Sequence, residues 1–282
     1  IEERPVPQGN VPGEWYSPTQ PFPTKPAAFD RQGITIDDLI DFTPELRAEA
    51  EARVANLILG PLFTPPSTVD DNGVGGTLMM PSQTGGANWE GGAFDPETGV
   101  IYIASKTDGG TLILGPSNAS DMSYVQSFGG GRGRGGGRGG RGGGAAARPQ
   151  RSGLPLIKPP WGRITAIDLN TGEHLWMREN GDTQERVKNN PFLEGVEIGR
   201  WGKATRAGIL VTKTLVLAGE GYGGDPHFYA YDKATGETIA DLEIPGTQTS
   251  LPMTYMHEDE QYVVFTVGGG GQPAQLIAMT LP

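Results

Sequence analysis

The 282-residue chain holds 22 basic and 33 acidic residues, a net charge of −11, and 36% of it is hydrophobic, enough for one large domain or two ordinary ones. It has no cysteine, which excludes disulfides, thiolate catalysis, Cys-ligated metal and c-type haem attachment within these residues, and no apolar run approaches the length of a membrane span. Six arginines (Arg132, Arg134, Arg138, Arg141, Arg148 and Arg151) sit in or beside one glycine tract; without them 16 basic residues face 33 acidic ones, −17, which argues against a nucleic-acid partner.

Residues 1–33 are rich in proline and have neither helical nor strand periodicity, so they are expected to lie extended on a surface, pinned by Trp15, Tyr16, Phe22 and Phe29. The first residue is Ile and no signal segment is visible, so a processed product or a piece of a longer protein is expected. Thr35 with Asp38 three residues on predicts a capped helical turn. Thr43 then caps a clearer helix with Pro44 in its first position. Leu46, Val54, Leu57 and Ile58 share a face, and Gly60-Pro61 stops it. Residues 1–66 are thus expected to be an extended segment plus a short helix, packed on a second, all-β unit spanning 67–282.

That unit opens with strands at 77–80 and 100–104 around GGANWEGG. Asn88 and Trp89 sit there between glycines. An aromatic face beside an amide suits a flat, polar-edged ring, while the blander possibility is a core tryptophan and a turn-capping asparagine. Residues 107–160 look irregular. They contain an Arg/Gly-rich insertion at about 129–151 that cannot bury apolar area and is expected to be a disordered loop. Such tracts also occur in RNA-binding proteins, but the acidic remainder weighs against that function.

A repeat is visible in AFDPETGVIYI (93–103), AIDLNTGEHLW (166–176) and AYDKATGETIA (230–240). In each, an aspartate can accept backbone N–H bonds within a turn and the glycine supplies positive φ. Repeated strand-turn-strand units with no helix between them point to a β-propeller rather than a sandwich. Strands at 208–212, 214–219, 227–232 and 237–243 make one blade, and about three more follow. The count is about three blades, fewer than a closed ring holds.

The AxDxxTGxxxW pattern, most complete at 166–176, resembles the repeat of quinoprotein dehydrogenases that bind pyrroloquinoline quinone. TQPFPTKP (19–26), DLIDFTPELR (38–47), GPLFTPPS (60–67), GGANWEGGAFDPETG (85–99), PPWGRITAIDLNTGEHLW (159–176) and PMTYMHEDEQYVVFTVGGGG (252–271) resemble, in order, the C-terminal half of the membrane-bound glucose dehydrogenase type. The resemblance implies an all-β, eight-bladed propeller of which this chain holds about three blades. It implies pyrroloquinoline quinone on a Ca2+ or Mg2+ ion, a catalytic aspartate, a quinone or cytochrome electron acceptor, and a periplasmic or periplasm-facing location. By resemblance Asn88 and Trp201 lie against the quinone, and Lys203, where glycine is usual, either pairs with a carboxylate or carbonyl oxygen of the quinone or points to solvent. The catalytic base and metal carboxylates are expected upstream of residue 1, in the remaining N-terminal part of the propeller, so no catalytic or metal residue is assigned here. Where the glucose type has a Gly-Gly-His, this chain has Gly268, Gly269 and Gly270, so the substrate expected is a sugar, polyol or other alcohol. The competing class is a noncatalytic propeller scaffold or binding module.

Three motifs are set aside. GEGYGG (219–224) is followed by a strand where a nucleotide fold needs a helix. His174, His227 and His257 share no ligand spacing. Asn118-Ala119-Ser120 fits a glycosylation triplet common by chance.

Overall fold

Each Asp-x-x-Thr-Gly repeat closes on itself in the same way. Asp95 accepts from Glu97 N–H at 3.0 Å and from Thr98 Oγ1–H at 2.6 Å. Asp168 accepts from Asn170 N–H and Thr171 Oγ1–H, and Asp232 from the N–H groups of Ala234 and Thr235. The closing glycines, Gly99, Gly172 and Gly236, have φ of 73°, 71° and 71°, in the left-handed region that a Cβ disfavours.

The computed structural model describes residues 1–116, 121–126, 151–269 and 271–280. A hairpin of β1 (Glu2–Pro5) and β2 (Thr19–Phe22) comes first, then α1 (Pro44–Val54). A small mixed sheet contains β3 (Ser67–Thr68), β4 (Thr77–Met79), β7 (Gly110–Gly115) and β8 (Val125–Gln126). The first full blade runs β5 (Gly92–Asp95), β6 (Val100–Lys106), β9 (Gly162–Asp168), β10 (Glu173–Glu179), and Ile101 of β6 stands opposite Ile167 of β9. The second is a meander of β11 (Ile209–Val211), β12 (Leu215–Gly219), β13 (His227–Asp232) and β14 (Thr238–Glu243). The third, β15 (Met253–His257), β16 (Glu260–Gly269) and β17 (Gln272–Thr280), has three strands.

The middle blade is buried on both faces, and strand alternation shows how. Val216, Ala218, Tyr229 and Tyr231 pack with Val100, Tyr102, Ile164, Ala166 and Trp176 of the first blade. Their neighbours Leu217 and Phe228 pack instead with Phe265 and Val267 of the third, the rings of Phe228 and Phe265 stacking at 4.3 Å. Sheets stacked face to face in sequence are the blades of a propeller.

The repeat also ties blades together. Trp176 Nε1–H donates to Lys233 O at 3.0 Å, and its ring lies over Gly236, where a Cβ would sit 2.6 Å from the indole. Lys233 Nζ reaches back to Asp95 Oδ2 at 2.8 Å. A third core joins α1 and Ile34–Ile40 to Leu78, Met80, Leu154, Ile157 and Trp161.

Thr35 and Asp38 form the expected capping box and Thr43 Oγ1 caps α1, accepting from Leu46 N–H. Several expectations need correction. α1 ends at Val54 because Ile58 is taken by strand-type pairing, its N–H bonding Gly76 O and its C=O accepting from Leu78 N–H. Trp15 is 84% exposed and pins nothing. Residues 107–160 are not wholly irregular: β7 pairs with β3 and β4, and Leu154 and Ile157 are core. The first two repeats share one blade, since β6 pairs with β9. The glycosylation triplet and nearly all of the Arg/Gly tract lie outside the described residues.

Candidate functional site

The GGANWEGG segment is a loop between β4 and β5, braced from within. Gly85 N–H bonds Ser82 O and Gly91 N–H bonds Asn88 O. Asn88 Oδ1 accepts from Trp89 N–H at 2.8 Å and its Nδ2–H donates to Thr84 O at 3.0 Å, which leaves one amide hydrogen and one lone pair of an exposed side chain for a ligand. Trp89 is 84% exposed, so it is not core. Beneath the loop lies a buried carboxylate, Asp30. It accepts from Thr107 Oγ1–H and Arg31 N–H, both at 2.7 Å, and pairs with Arg163 at 3.1 Å. Burial raises its pKa against the opposing pull of Arg163. Gly86 must lack a side chain here, because a Cβ would collide with Asp30 Oδ2.

The second element is the loop preceding β11. Trp201 is half-buried and stacked on Phe42 at 4.7 Å and 7°, with Trp161 edge-on at 5.6 Å. Its backbone N–H donates to Thr183 Oγ1 and its carbonyl accepts from Trp161 N–H, so the main chain that carries the indole is anchored from both sides. Lys203 does not point freely to solvent: its side chain is 14% exposed and pairs with the Asp225 carboxylate at 2.9 Å.

Asp225 belongs to the third element, the β12–β13 connection that carries the glycine-rich motif. It is a hairpin loop, as its following strand required. Its Glu220 is 1% exposed, accepting from Tyr229 Oη–H at 2.9 Å and Asp225 N–H at 2.7 Å. Burial raises the Glu220 pKa, and Lys203 acts in the opposite direction. Tyr222, 65% exposed, follows on the same loop, its N–H bonded to Arg206 O.

These elements meet. Arg206 Nε stands 3.3 Å from Glu90 Oε1, joining the loop of Asn88 to that of Trp201 and Lys203. The pair lines a groove of about 310 Å3, with Trp89, Tyr222, Gln248 and Leu251 around it. No hydrogen bond or ion pair among the described residues links Asn88, Trp201 and Lys203 to one another. Glu90, Arg206, Tyr222 and Asp225 were not singled out from sequence, because Glu90 and Arg206 are more than 100 residues apart and only the blade packing pairs them. Among the described residues no group of three or more His, Cys, Asp or Glu is placed to hold a metal ion. Each histidine has its own partner: His174 with Ala27 O, His227 with Asp241 and His257 with Glu258.

Comparison with known proteins gives a consistent answer. The family profile described as "PQQ: Glucose/ethanol/alcohol dehydrogenase, beta-propeller domain" matches residues 1–263. The glycerol dehydrogenase large subunit of Gluconobacter oxydans is 31% identical over 95% of this chain and 37% of its own length. The quinoprotein glucose dehydrogenase of Escherichia coli is 30% identical over 95% of this chain and 33% of its own. The crystal structure of the quinohemoprotein alcohol dehydrogenase from Comamonas testosteroni superposes with a TM-score of 0.41 at 20% identity, over 74% of this chain and 28% of that one. The chain therefore spans about a third of the length of the curated relatives it matches. With two repeat-locked four-stranded blades and a third sheet stacked on them, the chain belongs to the β-propeller family of PQQ-dependent glucose, ethanol and alcohol dehydrogenases.

Proposed function

We propose that the protein is a dehydrogenase that oxidises the hydroxyl of a sugar, polyol or other alcohol with pyrroloquinoline quinone as cofactor, passing electrons on to a quinone or cytochrome. The observation that supports this reading is the Glu90–Arg206 contact, which ties the loop of Asn88 to the loop of Trp201 and Lys203. The bound quinone would supply the two-electron acceptor chemistry, while the protein orients and polarises.

The residues present fit such a group. Pyrroloquinoline quinone is flat, with carboxylates and carbonyl oxygens on its rim. Asn88 retains one donor and one acceptor for a rim atom. Lys203 offers an ammonium already held in place by Asp225. Trp201 offers an indole held from behind by Phe42. Asp225 shares Lys203 with any anionic ligand, so the site's affinity depends on how that charge is divided.

A base to take the substrate proton and carboxylates to hold a Ca2+ or Mg2+ ion are assigned to the part of the protein outside this chain, the remaining propeller. That assignment agrees with the chain's share of its relatives' length and with the third sheet, whose outward face presents Met253 at 54% and Leu276 at 71% exposure. No helix of the described residues is long and apolar enough to cross a membrane. The periplasm-facing location and the absence of a nucleic-acid partner are carried over from the family resemblance and the acidic charge. Full-length protein given pyrroloquinoline quinone and Ca2+ is expected to reduce an electron-accepting dye with a sugar or alcohol. A protein that binds both and oxidises no such compound would be a scaffold instead.

A further inference from the structure

We propose that the buried carboxylate of Asp30 is a positioning residue: through Thr107 and Arg163 it fixes the loop of Asn88 and the loop of Trp201 and Lys203 relative to one another. The inference rests on the proposed function and gives a role to a group that touches no ligand there.

Three observations carry it. The first is connectivity. Thr107, 1% exposed, follows directly on β6 and donates its Oγ1–H to Asp30 Oδ1 at 2.7 Å. On one side, Gly86 of the Asn88 loop lies so close to the carboxylate that a Cβ would stand 2.9 Å from Asp30 Cγ. The same glycine accepts from Lys106 N–H at 2.8 Å, so the loop is tied to the chain that carries Thr107. On the other side, Thr107 N–H donates to Trp161 O and Trp161 N–H to Trp201 O, each at 2.8 Å. One carboxylate therefore stands beneath the Asn88 loop, and Thr107, which holds it, is two main-chain hydrogen bonds from Trp201.

The second observation is a separate route through the ion pair. Arg163, 3.1 Å from Asp30, follows Gly162 at the start of β9. Gly162 packs on the main chain of Lys203, where a Cβ would meet the Lys203 backbone C and N at 3.0 Å. The third observation is energetic. Both side chains of the pair are 5% exposed, yet Asp30 Oδ2 and Arg163 Nε bond nothing among the described residues. Desolvating two charges already offsets most of their attraction, and each unmade bond adds to the cost. Apolar residues of the same volume would hold the fold as well. They would not supply a directed acceptor for Thr107, nor a fixed surface on which Gly86 rests, and a preorganised site needs both.

The test uses full-length protein carrying Thr107→Val, which keeps the side-chain shape and removes the hydroxyl, or Thr107→Ser, which keeps the hydroxyl. In equilibrium titration Thr107→Val is expected to weaken pyrroloquinoline quinone binding about three- to ten-fold, and Thr107→Ser to bind as wild type does. In the Thr107→Val background, Asn88→Ala and Trp201→Ala are each expected to cost less than in wild type, because their loops are already displaced. Wild-type affinity in Thr107→Val, no rescue by Thr107→Ser, or strictly additive losses overturns the assignment. Amide hydrogen exchange on quinone-free protein decides it without reference to the cofactor. Residues 85–91 and 199–203 are expected to exchange about ten-fold faster in Thr107→Val, both loops together, while β12 and β13 keep their wild-type rates. No change, a rise in one loop alone, or a rise shared by β12 and β13 overturns the positioning role. Wild-type protein that binds no quinone contradicts the proposed function instead, and joint loosening of the two loops would still support the link through Asp30.

Discussion

Asp95 shows how one residue of a repeat serves two levels at once. Its carboxylate closes its own turn through Glu97 and Thr98 and receives Lys233 from the next blade at 2.8 Å. The Lys233 hydrogen bond, with help from Thr98, holds its pKa down at about 2. The folded value lies below that of the unfolded chain, about 3.9. Stability from Asp95 is therefore fully present above about pH 4 and lost as pH falls through about 2. Lys233→Met is expected to cost roughly 1.5–3 kcal/mol at pH 7, the range for a hydrogen bond to a charged group, and to flatten the stability curve below pH 4. Urea titrations of both proteins from pH 2 to 7 measure it, and parallel curves would count against the inter-blade role of this pair. Both residues were visible in the sequence as members of a repeat. Their pairing was not, because a turn motif specifies its own hydrogen bonds and carries no information about which turn lies against it.

At the scale of elements, the turns were legible because everything that makes them is local: an aspartate accepting from residues two and three positions on, and a glycine at φ near 71°. The same locality identified the capped start of α1. Its end was not legible, since the helical pattern continues to Ile58 while the backbone there pairs with Gly76 and Leu78. Nor was it evident that the first two repeats share a sheet, because β7 and β8 intervene in sequence between the paired strands β6 and β9. Docking of Trp176 over Gly236 yields a sharp prediction. Gly236→Ala combines left-handed strain with a Cβ 2.6 Å from the indole and is expected to destabilise by roughly 2–4 kcal/mol. Gly153→Ala, at φ 66° with nothing within 4 Å, incurs only the strain, about 1–2 kcal/mol. Equal shifts of the two denaturation midpoints would show that the tryptophan does not clamp the turn.

For the whole molecule, family and architecture were legible because several sequence blocks run in the family's order, and the blades follow their repeat. The candidate site was legible only in part. Asn88, Trp201 and Lys203 stand in recognisable motifs, but Glu90 and Arg206 meet only through blade stacking, and Glu220 appeared as one letter of a glycine-rich loop. In the proposed site, two loops from different blades hold one quinone. Equilibrium titration of pyrroloquinoline quinone into full-length wild type, Asn88→Ala, Lys203→Met and Trp201→Ala tests it most directly. Asn88→Ala is expected to weaken binding by roughly 0.5–1.5 kcal/mol, Lys203→Met by roughly 1.5–3 kcal/mol, and Trp201→Ala by more than Asn88→Ala, because it removes a whole aromatic face. Wild-type affinity in all three variants would mean that these residues only pack the blades, and the site assignment would be wrong.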